Sequence, residues 1–328
     1  MKILVTGATG FIGRHLVKRL VEEGRPVKCL VRETSDTQSL VGLGIEIFFG
    51  DITDPGSVEN AIKDVDLIFH LAGEVYPKRS MNYFDINVVG TKNLMNACVG
   101  RSIKRVVYFS STAVYGPTKN NEIPLDESDR CKPISQYGKS KLEAEKVLFH
   151  YYEEHGVPIT VLRPPVVYGP GLYRFSLPYL ILDSVLKRKF VMVGNGNNYT
   201  SLCYIDNLIH GALLAAVSEK AIGEIFIISD GENMKLKEII DFIYNVEGIK
   251  SNYHSIPKWI AIIVASFLYL LTMAIKYPIY VSPKTIYELT GGWGANIKKA
   301  EELLNYKAVV SFHDGIEITL HNLKDSIT

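Results

Sequence analysis

A tyrosine and a lysine four positions apart are the residues of this sequence best suited to proton transfer. Tyr137 and Lys141 belong to the run YGKSK, which opens a helical pattern, and their spacing puts both side chains on one face of a helix. A phenol with a pKa of about 10 is a poor base at neutral pH unless a nearby ammonium group stabilises its phenolate. The spacing therefore indicates a tyrosine that exchanges protons with the help of Lys141.

Hydroxyl side chains precede this pair at a place where a sheet binds ligands. Ser110, Ser111 and Thr112 lie at and just beyond the end of a predicted strand, Arg105–Ser110. Ligands of open α/β sheets bind outside the carboxyl ends of the strands. A single serine in such a loop commonly does no more than form a turn. Between that strand and the Tyr137 helix, however, a hydroxyl is in a position to hold a substrate oxygen.

A glycine-rich turn near the amino terminus has the features of a dinucleotide site. The run TGATGFIG at residues 6–13 joins a predicted strand to a predicted helix. Glycines permit a tight turn, the approach of the backbone to a pyrophosphate and close packing of helix on strand. The helix N-terminus adds free N–H groups and the positive end of its dipole. The residues expected to contact the cofactor here are Gly7, Thr9, Gly10, Phe11, Ile12 and Gly13.

The end of the second predicted strand bears on the choice of cofactor. Val27–Val31 leads into Arg32, where an acidic residue usually binds the ribose hydroxyls of NAD. A guanidinium there can hold a 2′-phosphate through charge-assisted hydrogen bonds. NADP is therefore the preferred cofactor. Glu33 and Asp36 follow soon after and leave NAD open, and an arginine that is merely solvated is the alternative.

Two further strand ends are expected to line the cofactor. Asp51, with its neighbour Ile52, follows the predicted strand Glu46–Phe49 and can accept a hydrogen bond from the adenine amino group. A turn-capping role for Asp51 is an equal alternative. Leu71, Ala72 and Gly73 end the next strand, and the small residues among them let the backbone pass close to a ligand.

Short apolar runs alternate with helical patterns over the first half of the chain. Apolar strands separated by helices indicate a parallel sheet covered on both faces, so the fold class is α/β, with a Rossmann-type doubly wound parallel sheet. Residues 1–163 are expected to form the NAD(P)-binding domain, and residues 164–328 a smaller, mostly helical substrate region whose chain crosses back to the sheet. The predicted strands are Lys2–Thr6, Val27–Val31, Glu46–Phe49, Asp66–Leu71, Arg105–Ser110, Ile159–Arg163 and Glu224–Ser229, and the main predicted helices are Phe11 to about Glu23, Met81–Val99, Tyr137–His155 and one that begins near Lys235.

Composition narrows the class of protein. The chain has 36 basic and 35 acidic side chains and no run of like charges, which argues against a nucleic-acid partner. Its four cysteines stand apart, and no cluster of His, Cys and Asp suggests a metal site. Free thiols and a start, MKILVTGATG, that lacks a signal-peptide pattern favour the cytoplasm.

One apolar segment departs from this cytoplasmic pattern. Trp259–Ile275 has no charged residue and lies between Lys258 and Lys276. A membrane span needs about 20 apolar residues. We therefore expect residues 259–275 to form a buried or substrate-contacting helix. Peripheral contact with a membrane is the second alternative, and a membrane span is the third.

Over nearly the whole chain these motifs resemble the extended short-chain dehydrogenase/reductases, the NAD-dependent epimerase/dehydratase family. The matching runs are TGATGFIG (6–13), GD (50–51), LAG (71–73), NVVGT (87–91), SSTAVYG (110–116), YGKSK (137–141) and RPPVVYGPG (163–171). The resemblance implies that Tyr137 is the general acid and base, that Lys141 binds the nicotinamide ribose and lowers the pKa of the tyrosine, and that Ser111 orients the substrate oxygen. It also implies a place near the nicotinamide for Asn87 and Pro164, and a homodimer.

Within that family the sequence is more similar to the 3β-hydroxysteroid dehydrogenase and dihydroflavonol reductase branch. The run YIDNL at 204–208 and the apolar segment at 259–275 resemble that branch. Thr200 stands where the nucleotide-sugar branch commonly has an arginine for the diphosphate. The expected reaction is therefore hydride transfer at a secondary alcohol or ketone of an apolar substrate resembling a sterol, terpenoid or flavonoid.

Two alternatives remain open. A nucleotide-sugar epimerase, dehydratase or reductase is the first, with Arg174, Lys187 or Arg188 as substitute cations for the diphosphate. A non-catalytic NADP-binding sensor on the same fold is the second, because a fold alone does not give a function. The presence of both Tyr137 and Lys141 disfavours the sensor.

Overall fold

The computed structural model describes residues 1–75, 83–118, 124–174, 176–275 and 282–325, without the side chains of 272–275. The strands in these ranges are β1 (Ile3–Thr6), β2 (Val27–Val31), β3 (Glu46–Phe49), β4 (Leu67–His70), β5 (Arg105–Phe109), β6 (Ile159–Arg163), β7 (Val166–Tyr168), β8 (Val191–Val193), β9 (Tyr199–Thr200), β10 (Leu202–Tyr204), β11 (Glu224–Ile227), β12 (Met234–Lys235) and β13 (His254–Ile256). The helices are α1 (Phe11–Glu22), α2 (Pro55–Ala61), α3 (Thr91–Cys98), α4 (Gln136–His155), α5 (Leu177–Leu186), α6 (Ile205–Val217), α7 (Leu236–Val246), α8 (Lys258–Ile275), α9 (Pro283–Thr290), α10 (Lys298–Leu304) and α11 (Phe312–Asp325).

Seven parallel strands form the main sheet in the order β3-β2-β1-β4-β5-β6-β11. The chain moves outward from β1 to β3 and then returns to the other side of β1 with β4. Such a reversal creates a crevice at the carboxyl ends of the two central strands, where open α/β sheets bind their ligands. The residues that follow Thr6 and His70 stand at this crevice.

Helices cover both faces of the sheet, whose central strands are buried and mostly apolar. Every residue of β1, β2, β4, β5 and β6 is buried, and successive side chains point to opposite faces. Val5 and Phe69 pack with α1 and α6 on one face, whereas Leu4 and Ile68 pack with α3 and α4 on the other.

Capping groups set both ends of helix α4. The Ser135 hydroxyl oxygen accepts a hydrogen bond from the Gly138 N–H at 3.2 Å, and Gly156, with φ of +66°, ends the helix in the left-handed conformation. The helix therefore begins at Gln136, which places Tyr137 in its first turn.

The chain after residue 163 is built from seven helices and short paired strands within the described ranges. β7 pairs with β10, β8 with β13 and β9 with β12. β11 joins the main sheet beside β6, so this half of the chain also contributes to the Rossmann sheet. The division into domains at residue 163 stays a prediction.

The predicted α/β fold with a Rossmann-type sheet is confirmed, and most predicted elements agree with the structure to within two residues at each end. The predicted helix Met81–Val99 differs, because the chain forms a wider π-helical turn at Asp85–Gly90 before α3 begins. Residues 81 and 82 lie outside the described ranges. Among the described residues, no helix has the length and apolarity to cross a membrane.

Candidate active site

The ammonium group of Lys141 is buried at the carboxyl end of β5. Its Nζ donates a hydrogen bond of 2.7 Å to the Phe109 carbonyl oxygen and lies 4.7 Å from the centre of the Tyr108 ring. Burial lowers the pKa of Lys141 to about 8, although the nearby Glu145 carboxylate raises it. Tyr137, one turn earlier on α4, is half-buried, and its ring centre lies 6.3 Å from that of Tyr83. The predicted pair thus shares one helix face, with the lysine below the surface and the tyrosine at it.

Asn87 joins helix α4 to the segment that follows β4. Its side-chain nitrogen donates to the Ser140 hydroxyl at 2.9 Å and to the Glu74 carbonyl at 3.2 Å, while its side-chain oxygen accepts from the Glu74 N–H at 2.8 Å. A methyl group at Gly73 would lie 3.0 Å from that oxygen and 3.3 Å from Lys141 Nζ. Asn87, Gly73 and Lys141 therefore meet at one point of the crevice, and only a glycine leaves the space between them open.

The run SSTAVYG after β5 (residues 110–116, the serine loop) packs directly on the start of α4. A methyl group at Gly138 would approach the Ala113 carbonyl oxygen to 2.4 Å, so the close contact requires glycine. Ser111 Oγ accepts a hydrogen bond from the Ala113 N–H at 3.1 Å, and this side chain is half-buried. Thr112 is buried, and its N–H donates to the Pro164 carbonyl at 3.0 Å. Of these two neighbouring hydroxyls, Ser111 is the more accessible, and Pro164 supports the loop from β6.

A buried ion pair beneath the serine loop was not predicted. Glu145 stands one turn after Lys141 on α4, and its carboxylate binds the Arg163 guanidinium through two hydrogen bonds, one of them 3.0 Å long. Ser110 donates to the same carboxylate, and Arg163 donates to the Tyr115 hydroxyl at 2.6 Å. Burial opposes the charge of Arg163, but the Glu145 hydrogen bonds raise its pKa above the ordinary value. The pair fixes α4 to β5 and β6. The spacing of Tyr137, Lys141 and Glu145 at successive turns indicates that Glu145 shares their helix face, but no pattern in the sequence pairs it with Arg163.

The glycine turn lies against the end of β4. Gly7 has φ of +74°, and a methyl group there would come within 2.7 Å of the Ala72 nitrogen and the Leu71 carbonyl carbon. A methyl group at Gly13 would approach the Gly7 carbonyl oxygen to 2.2 Å. Gly10 is the exposed N-cap of α1 and has no side chain that could cover the first-turn N–H groups of Phe11, Ile12 and Gly13. These groups fit a cofactor pyrophosphate, and Thr9 is half-buried beside them.

The residues expected at the adenosine end of the cofactor lie at two adjacent strand ends. Arg32 is exposed just beyond β2, and its guanidinium has no ion-pair partner among the described residues. Asp51 Oδ1 accepts hydrogen bonds from the Thr53 N–H at 2.9 Å and from its hydroxyl at 2.8 Å. The turn-capping role of Asp51 is therefore present, and adenine binding stays a prediction. Ile52 is buried against Gly90, at the start of α3.

His70, the last residue of β4, is buried and hydrogen-bonded through both ring nitrogens. Its ring nitrogens lie 2.8 Å from Thr6 Oγ1 and 3.0 Å from Thr91 Oγ1. Burial, assisted by the Lys141 charge, lowers the pKa of His70 to about 3, so the imidazole is neutral at physiological pH.

Comparison with known protein families agrees with this fold. Residues 3–229 match the model of the NAD dependent epimerase/dehydratase family. The chain therefore belongs to that family, whose members are enzymes built on the extended short-chain dehydrogenase/reductase fold.

Relatives in the family act on different kinds of substrate. A 4-hydroxy-2-methyl-3-oxo-4-farnesyl-3,4-dihydroquinoline-1-oxide ketoreductase of Stigmatella aurantiaca is 29% identical over 78% of this chain and 76% of its own length. The decarboxylating sterol-4-alpha-carboxylate 3-dehydrogenase of Mus musculus is 26% identical over 98% of this chain and 90% of its own. The crystal structure of UDP-glucuronic acid 4-epimerase from Bacillus cereus in complex with NAD has a TM-score of 0.80 and 26% identity, and the match covers all of both chains.

Proposed function

We propose that this protein is an NADP(H)-dependent oxidoreductase that interconverts a secondary alcohol and a ketone on an apolar substrate. The observation that carries the proposal is the Tyr137–Lys141 pair, in which a buried ammonium group with a pKa of about 8 lies one helical turn from a tyrosine at the sheet crevice. In a low-dielectric site this charge stabilises a phenolate far more than it would in water.

Each catalytic residue has one task in this proposal. A bound nicotinamide cofactor supplies or accepts the hydride. The Tyr137 hydroxyl gives a proton to the substrate oxygen during reduction and takes one during oxidation. The Ser111 hydroxyl holds the same oxygen. Lys141 stabilises the Tyr137 phenolate and binds the ribose of the cofactor, and Asn87 holds Gly73 and α4 in place around it.

The cofactor is proposed to lie across the crevice between β1 and β4. Its pyrophosphate contacts the glycine turn at residues 7–13, and its adenine lies near Asp51 and Ile52. Arg32 binds the 2′-phosphate, which is the basis for preferring NADP to NAD. Leu71, Ala72 and Pro164 line the nicotinamide side.

The apolar substrate is favoured by the surroundings of Thr200. This residue occupies the position expected of a diphosphate-binding arginine, and it lines a small cleft together with Asp230 and Glu232. Carboxylates beside that position repel a diphosphate. Lys187, one of the substitute cations, is paired with Asp183 at 2.8 Å. The relatives named for a sterol and for a farnesyl-bearing quinoline support the same substrate class.

A nucleotide-sugar epimerase is the second candidate, favoured by the similarity to the UDP-glucuronic acid epimerase over the full length of both chains. Thermal unfolding of the purified protein with NADPH, NADH or UDP-glucose separates the two. We expect NADPH to raise Tm more than NADH does, and UDP-glucose to leave Tm unchanged. A rise in Tm with UDP-glucose would reject the apolar substrate and keep the Tyr137 chemistry.

We also propose two interactions of this protein, one with a second copy of the chain and one with a membrane surface. A homodimer is implied by the resemblance to the family, and sedimentation equilibrium tests it. Peripheral membrane contact through residues 259–275 is the other, and helix α8 provides the surface for it.

A further inference from the structure

Helix α8 has one continuous apolar face that no described part of the chain covers. Trp259, Phe267 and Leu270 are 63%, 65% and 64% exposed. At about 100° per residue, six of the exposed side chains fall within roughly 140° of the helix circumference, with no polar residue among them, whereas the exposed Tyr269 lies about 80° outside this arc. The α8 face consists of Trp259, Ile263, Val264, Phe267, Leu270 and Leu271.

The opposite side of α8 holds the helix to the protein. Ala261 and Ala265 are buried and pack with Ile286 of α9, together with Val193 and Ile256. The helix is therefore anchored without the α8 face, which has no packing role among the described residues. An exposed apolar surface of this extent on a folded chain marks an interaction site.

The segment around α8 carries only positive charge. Between Glu247 and Glu288 the sequence contains no acidic residue and four lysines, at 250, 258, 276 and 284. Lys250 and Lys284 are exposed, and Lys258 Nζ lies 4.5 Å from the centre of the exposed Tyr287 ring. Lysines of this kind are attracted to anionic lipid headgroups. Tryptophan and tyrosine are enriched at the boundary between headgroups and acyl chains.

We propose that the α8 face docks on the surface of an anionic phospholipid bilayer. The helix lies in the plane of the interface, with its apolar side chains among the upper acyl segments and the exposed Lys250 and Lys284 at the headgroups. A second copy of this chain fits the surface less well, because two such segments would bring lysines together with no acidic partner.

An indirect chain of contacts connects α8 to the start of α4. α8 packs on α9, and Glu288 of α9 forms a side-chain hydrogen bond with Ser135, the N-cap of α4. Tyr137 follows two residues later. Docking would thus hold the substrate side of the crevice near the lipid phase, from which an apolar alcohol can enter. This last step rests on the proposed function, whereas the docking itself does not.

Sedimentation with vesicles, without cofactor or substrate, tests the docking. We expect the full chain to sediment with phosphatidylcholine vesicles that contain about 30% phosphatidylglycerol, and less with phosphatidylcholine alone. Lys250→Gln with Lys284→Gln should weaken binding to the anionic vesicles at least about tenfold, because each lysine near the surface contributes about fivefold. The triple variant Ile263→Gln, Phe267→Gln, Leu270→Gln should stay in the supernatant.

A matched control separates docking from general hydrophobicity. Val41, Val217 and Val309 are exposed apolar residues elsewhere, and their replacement by glutamine should leave sedimentation unchanged. Both triple variants should keep the wild-type Tm, since the altered side chains are exposed. Failure of the wild type to sediment with either vesicle would overturn the proposal, as would undiminished binding by the α8 triple variant. A wild-type dimer that the same variant dissociates would assign the face to a second copy instead.

Discussion

Lys141 is buried, and burial disfavours the charged form of a lysine. Its proposed task nevertheless requires a positive charge. Burial is the larger influence on its pKa and lowers it to about 8, while Glu145, one turn later on α4, opposes that change. Glu145 in turn is held by Arg163 and Ser110. At the scale of single residues, we therefore regard the buried ion pair as a positioning device for the ammonium group.

The depressed pKa of Lys141 predicts a pH-dependent contribution to stability. In the unfolded chain a lysine has a pKa of about 10.4, whereas the folded value is about 8. Between these values the unfolded state binds more protons, so the contribution of this group to stability rises with pH. In urea unfolding at several pH values, the free energy of unfolding of the wild type should rise with pH relative to that of Lys141→Met, because buried thiols such as Cys29, whose raised pKa acts in the opposite direction, are common to both proteins. The exposed Lys139→Met serves as control, and parallel curves for all three proteins would refute the buried lysine.

Arg32 gives the second prediction at this scale. Arg32→Asp should weaken NADPH binding at least about tenfold, because a charge-assisted contact to the 2′-phosphate contributes about 1.5–3 kcal/mol. Binding of NADH should change little. Titration calorimetry measures both, with the exposed Arg101→Asp as control. Equal losses for the two cofactors would show that Arg32 does not contact the phosphate.

At the scale of elements, close backbone contacts between the turns, loops and helices at the carboxyl edge of the sheet determine where the site forms. Gly7 contacts the backbone of Leu71 and Ala72, and Gly138 contacts Ala113. These contacts join β1 to β4, and the serine loop to α4. Tyr137, Ser111 and the glycine turn thereby come from three elements to one edge of the sheet.

Gly7→Ala tests that arrangement against a matched glycine. Gly7 and Gly44 both have positive φ, but only at Gly7 would a methyl group meet neighbouring backbone. Gly44→Ala should cost about 1 kcal/mol from backbone strain alone. Gly7→Ala should cost clearly more and abolish NADPH binding. Guanidinium unfolding and cofactor titration measure the two effects, and similar costs for both variants would contradict the close packing of Gly7 on β4.

Sequence patterns predicted the elements that depend on local signals. β2, β3 and β6 agree with their predicted residues, because each is a short apolar run bounded by turn residues. The small strands β7–β10, β12 and β13 were not predicted, since each has two or three residues and pairs with a strand distant in sequence. The Glu145–Arg163 pair was missed for the same reason, because the packing of α4 on β6, rather than any local pattern, brings the two charges together.

At the scale of the whole molecule, contacts connect the crevice proposed to bind the cofactor, the proposed proton-transfer pair Tyr137 and Lys141, and the exposed apolar helix α8. The crevice follows from the reversal of strand order between β1 and β4. The apolar helix α8 reaches α4 through α9. Under the proposed function, this arrangement would let an apolar alcohol or ketone enter the crevice from a membrane surface.

Transfer of deuterium from C4-deuterated NADPH to a panel of sterol and terpenoid ketones tests the central claim most directly. The wild type should deliver one deuterium to the carbinol carbon of the product, as read by mass spectrometry. Tyr137→Phe should bind NADPH with unchanged affinity and lose at least about 100-fold in rate, because the proton carrier is gone. Tyr152→Phe, on the same helix, should transfer deuterium at the wild-type rate. Undiminished transfer by Tyr137→Phe, or interconversion of a UDP-sugar without transfer to any ketone, would contradict the account.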